Sequence, residues 1–120
     1  MIVRDFKKYD VWTESINLAN KIYKITASFP KHEVYGISQQ MQRCAVSIPS
    51  NIAEGCSRSS EKEFSRYIHI AIGSSFELET QLILANNLEY YIHDFDQLLL
   101  QINTLQKKLN SLNSKLLARG

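Results

Sequence analysis

Apolar residues recur along this chain at intervals of three and four, the spacing that puts side chains on one face of a helix. Four such stretches predict helices near residues 10–29, 38–54, 60–87 and 94–117. The first carries two apolar stripes. One is Trp12, Ile16, Ala19 and Tyr23; the other is Val11, Leu18, Ile22, Ile25 and Phe29. A helix on the outside of a monomer needs only one apolar face. Trp12 and Ile16 are therefore expected in the protomer core, and the second stripe is expected against another subunit. A single broad buried face would account for both stripes as well. The second helix presents Ile37, Met41, Ala45, Ile48 and Ile52, and the third Phe64, Ile68, Ala71, Ile72, Ser75, Leu78, Leu82 and Ala85. The fourth keeps a 3-4 seam through Phe95, Leu98, Ile102, Leu105, Leu109, Leu112 and Leu116, which resembles a coiled-coil stripe.

Punctuation between these stretches is helical in kind. Pro30 to Gly36 reads as a loop, with Ser38 as N-cap of the second helix. Pro49 lies inside the second apolar pattern and predicts a bend near residues 45–49, because it lacks a backbone donor and crowds the preceding turn. Gly55 is expected to end that helix in a left-handed conformation. Ser60 and Glu63 have the spacing of a capping box, and Asp94 is placed as N-cap of the fourth helix. Gly73, costly by about 1 kcal/mol inside a helix, predicts a close helix crossing. The reading is an all-α, antiparallel up-down-up-down four-helix bundle, one domain over residues 1–120.

Composition changes this picture little. Apolar content of 44% and charged content of 22% suit a globular chain, and no apolar run is long enough to span a bilayer. The opening residues carry acids and no apolar secretory core, so a cytoplasmic location and no membrane contact are expected. Cys44 and Cys56 lack metal-site spacing and read as two reduced thiols.

The net charge of +2 does not announce a nucleic-acid binder, but its distribution is uneven. No Lys or Arg occurs from Tyr67 to Gln106, whereas Lys107, Lys108, Lys115 and Arg119 close the chain without an acid. Arg58, Lys62 and Arg66 recur every fourth residue around the central connection. These seven residues are the candidate nucleic-acid contacts, since clustered cations attract phosphate locally despite a modest total. A solvated face neutralised by Glu61 and Glu63 is the bland alternative, and no aromatic RNA-binding motif accompanies the cations. Asn51, Glu54, Arg58 and Glu77 are expected to form a polar network fixing the register of the second and third helices, because buried polar groups must find partners.

Catalysis finds little footing. His69, Glu54, Glu77, Glu79, Ser74 and Ser75 are the available groups, but no signature ties a nucleophile to a base. No enzyme activity, cofactor or metal is expected.

Three segments carry a resemblance: FPKHEVYG from Phe29, QMQRCAVSIPSNIAEG from Gln40, and FSRYIHIAIGSSFELETQL from Phe64. With Trp12, they make the chain similar to the small four-helix-bundle proteins read from intervening sequences of bacterial 23S ribosomal RNA genes. Cys44 stands where that family often has alanine. The resemblance implies a homo-oligomer, with a ring of five as precedent. A related group, the accessory subunits of diversity-generating retroelements, engages a reverse transcriptase and nucleic acid. Two functions follow as expectations: a non-enzymatic oligomeric accessory module binding RNA or DNA, or a protein-interaction scaffold without nucleic-acid contact.

Overall fold

In a computed structural model the described residues, 3–120, fold as α1 (Asp10–Thr26), α2 (Ile37–Cys56), α3 (Glu61–Asn87) and α4 (Phe95–Arg119), with no strand among them. Single 3-10 turns at Phe6–Lys8 and Lys31–Glu33 precede α1 and α2. Side-chain contacts give the direction of each helix. Glu14 meets Lys108 and Lys21 meets Gln101 across α1 and α4. Cys44 meets Glu77 and Ser47 meets Ser74 across α2 and α3, while Ser65 meets Asn113 and Glu79 meets Gln106 across α3 and α4. In every pair one number rises as the other falls, so neighbouring helices run antiparallel.

The inward stripes of α2, α3 and α4 are where their periodicity puts them. Phe64, Ile68, Ile48, Ile52, Leu82, Ile102 and Leu109 are fully buried. Ser60 caps α3 through its side chain, which accepts from the Glu63 amide at 3.1 Å. Asp94 precedes α4 but caps nothing with its side chain; it holds a left-handed backbone (φ 50°) and turns its carboxylate to His93.

Five local expectations are corrected. The second stripe of α1, expected at a subunit contact, supplies the core: Val11, Leu18, Ile22 and Phe29 are buried and Ile25 is half-buried, whereas of the first stripe Ala19 is buried, Trp12 and Ile16 are half-buried and Tyr23 is exposed. Trp12 packs at the margin of the core, with Phe6 edge-to-face at 5.1 Å. α1 stops at Thr26, and Phe29 reaches the core from the turn that follows, against Tyr90. Ser38 is buried inside α2; its first free amide, on Ile37, is served by Glu33 Oε1 at 3.4 Å. Gly55 is right-handed and within α2, and its purpose is space: a Cβ there would stand 2.7 Å from Phe64 Cδ1 and 2.9 Å from Tyr67 Cβ. Gly73 faces outward, with nothing near an added Cβ, so it marks no crossing within the protomer. Pro49 needs no such correction: it is buried inside α2, and the helix continues through it as the apolar period beyond it requires.

Candidate nucleic-acid interface

The start of α3 and the end of α4 share one pole of the bundle, because those helices are antiparallel. Arg119 lies 3.6 Å from Glu61, and Gly120 packs beside Lys62. The chain before α1 comes to the same pole, bringing Arg4 and Lys8. Cations distant in sequence are thus collected by topology alone.

Three shallow grooves open there. One lies between α3 and α4, bordered by Lys62, Ser65, Arg66, His69, Ile70, Asn113 and Leu117. A second lies between α1 and α4, bordered by Lys8, Asp10, Lys108, Ser111 and Lys115. The third, at the tip, is bordered by Arg4, Lys8, Glu61 and Arg119. α4 is the ridge between the first two. Lys62, Arg66, Lys107 and Lys115 are exposed and have no ion-pair partner among the described residues. Such cations keep their charge available to a phosphate at little desolvation cost.

The other sequence candidates are partly spent. Lys108 Nζ pairs with Glu14 at 2.9 Å, and that hydrogen bond raises its pKa. Arg119 shares Glu61 with Arg4, whose hydrogen bond, together with the two positive charges, holds the Glu61 carboxyl below its ordinary pKa although partial burial opposes this. Arg58 does not join the face of Lys62 and Arg66. It precedes α3, and its guanidinium folds over the Tyr67 ring at 4.8 Å, donating to Tyr67 Oη and Glu54 Oε1. Arg4 and Lys8 escaped sequence reasoning because nothing local marks an N-terminal segment as folding back on the far turn.

The four residues expected to form one network are divided among three. Glu54 and Arg58 pair within the α2 end at 2.8 Å. Asn51 donates to the Ser47 carbonyl and hydroxyl, and Ser47 bonds Ser74 at 2.8 Å, which is the link to α3. Glu77 accepts from the Cys44 thiol. A further α3–α4 network joins Glu79, Asn103 and the buried Gln106.

The groups considered for catalysis are dispersed. Ser75 is buried and donates to the Ile72 carbonyl, Ser74 bonds Ser47, and His69 is exposed in the α3–α4 groove. His32 approaches Glu33 and Tyr90, while His93 approaches Asp94 and Tyr91. No three His, Cys, Asp or Glu side chains stand together as a metal site among the described residues. Burial pushes both thiols up to about 11: Cys44 with help from Glu77, and Cys56 despite the nearby Arg4 charge. Among the described residues, no helix is long and apolar enough to cross a membrane.

Comparison with known proteins matches this architecture. A crystal structure at 1.70 Å of a protein of unknown function from the S23 ribosomal protein family of Bacteroides thetaiotaomicron VPI-5482 superposes with a TM-score of 0.76. It is 25% identical, over 87% of this chain and 95% of that one. No curated protein matches. The family description "23S rRNA-intervening sequence protein" names no reaction, and its profile matches residues 7–111. That span runs from the 3-10 turn before α1 through most of α4, and the chain belongs to the 23S rRNA-intervening sequence protein family.

Proposed function

We propose that this protein is a non-enzymatic, cytoplasmic accessory module that self-associates and binds the phosphate backbone of RNA or DNA. The observation that carries this reading is the cationic pole. Lys62 and Arg66 border one side of the α4 ridge, Lys8, Lys108 and Lys115 border the other, and Arg119 lies at the tip. These groups suit a repeating charge and read no base edges, so binding tolerates sequence. Assembly multiplies the face, and the expected ring of five would present it five times.

The assembly surface is assigned to the outer side of α3. Phe76, Ile83 and Leu84 are 41–52% exposed there, and Gly73 lies beside them with open space around it. On this exposed apolar row we place the self-association contact. The same row supports the second reading, a scaffold for a reverse transcriptase or another protein.

The test is a titration of the intact protein with single-stranded RNA and with duplex DNA over a range of salt. Binding that weakens linearly in log–log form, with a slope of about 0.7 per phosphate on single strands and about 0.9 on duplex DNA, is expected. Lys62→Glu with Arg66→Glu should flatten both slopes without altering oligomeric mass. Absence of binding at low salt would transfer the function to the scaffold reading.

A further inference from the structure

Arg4 lies in irregular chain before α1, yet its side chain is only 4% exposed. Its guanidinium donates to the Cys56 and Arg58 carbonyls at 3.3 and 2.7 Å and to Glu61 Oε1 at 2.6 Å, and it lies 4.8 Å over the Phe64 ring. A guanidinium withdrawn from water needs such partners, and they are drawn from the end of α2, the connection and the first turn of α3. The first residues of the described chain are therefore anchored to the central turn.

The segment between this anchor and α1 is short and ordered by its own bonds. Asp5 Oδ1 accepts from the Lys7 amide, and a 3-10 turn spans Phe6–Lys8. Tyr9 packs edge-on against Phe64 at 5.8 Å. Lys8 is thereby set between two grooves. It borders the tip groove with Arg4, Glu61 and Arg119, and the α1–α4 groove with Lys108 and Lys115, and it is the one cation bordering both. Asp5 and Asp10 also stand at these borders. Asp5 is engaged by the Lys7 amide, and Glu61 and Glu14 are engaged by Arg4 and Lys108.

We propose that residues 3–9 form an arm clamped by Arg4, and that the clamp places Lys8 as the phosphate contact joining the two grooves. The inference rests on the nucleic-acid reading above. A polyanion laid across the pole meets Arg119, Lys8 and Lys115 in succession, and release of the arm removes the middle contact. Arm docking and binding are then linked, so each strengthens the other.

The experiment compares the wild type with Arg4→Met, Lys8→Gln and the double variant, each verified folded and of unchanged mass. Binding of a single-stranded oligouridylate is measured against salt, and trypsin cleavage after Lys7 and Lys8 is followed with and without it. Lys8→Gln is exposed and leaves the anchor intact, so it tests the contact even if Arg4→Met folds poorly. Each single variant should lower the salt slope by about 0.7, and the double variant should lower it by the same amount, because both remove one contact. Arg4→Met should speed tryptic cleavage, and RNA should slow it in the wild type. Unchanged slopes in Lys8→Gln, or losses that add in the double variant, would overturn the arm while leaving nucleic-acid binding in place. A wild type that binds no oligouridylate would overturn the functional reading itself, and the arm's role with it.

Discussion

Gly55 and the ring of Phe64 are separated by less than a side chain allows: a Cβ on Gly55 would lie 2.7 Å from Phe64 Cδ1. Phe64 is fully buried and cannot yield outward. Gly55→Ala should therefore destabilise the fold by about 1–3 kcal/mol, the range for overpacking a filled core. Urea denaturation measures it. A stability equal to wild type would mean that the end of α2 shifts freely.

Gly73 predicts the opposite sign. It lies mid-helix with no neighbour near an added Cβ, so Gly73→Ala should stabilise the protomer by about 1 kcal/mol through helix propensity. If the outer side of α3 is the assembly surface, the same change should loosen the oligomer. Thermal unfolding of dilute protein and light scattering at higher concentration separate the two effects.

These glycines show where sequence reading reaches and stops. The helical placement of Gly73 follows from the surrounding period, whereas Gly55 was expected to end its helix; the reason for each glycine lies in a ring nine residues away or in open solvent. Four helices and three core stripes were legible, since 3-4 spacing over several turns overrides single residues. α1 was ambiguous because its two stripes are both apolar, and only packing decides which faces inward. The cations of α3 and α4 were visible as clusters. Arg58 was misplaced on their face, because the stretch before Glu61 is not helical. Arg4 and Lys8 depend on a contact spanning more than fifty residues, for which no local signal exists.

The burial of the second α1 stripe fixes a contrast between two aspartates. Ile22 is fully buried, so Ile22→Asp should prevent folding and not merely assembly. Phe76 is 52% exposed, and Phe76→Asp should leave the helical circular dichroism spectrum intact while reducing the oligomer. A folded Ile22→Asp monomer would return the second stripe of α1 to the subunit contact.

Cys44 and Cys56 should resist modification. Both are buried, with pKa values pushed up to about 11, so at pH 8 the reactive thiolate is about one part in a thousand. An aromatic disulfide reagent should label them rapidly in denaturant and slowly in the native protein. Equal rates would show that the α2 end opens readily.

The Arg4–Glu61 pair carries a pH dependence whose sign is set by its direction. Glu61 has its folded pKa lowered, first by the Arg4 hydrogen bond, so the unfolded chain binds more protons in the acid range. The contribution is present above the ordinary value of 4.5 and is lost as the pH falls through that value toward the lower folded one. Urea midpoints from neutral pH to about pH 3 should therefore fall more steeply for the wild type than for Glu61→Gln, with the two curves converging at the acid end. Arg4→Met should flatten the same interval in part, because Glu61 then loses the stronger of the two partners that lower it and keeps Arg119. Tryptic cleavage at Lys7 and Lys8 in Glu61→Gln, measured at neutral pH, should exceed the wild-type rate, since a neutral amide holds the guanidinium less strongly than a carboxylate does. Parallel urea curves together with unchanged cleavage would show that the Cys56 and Arg58 carbonyls alone anchor the arm.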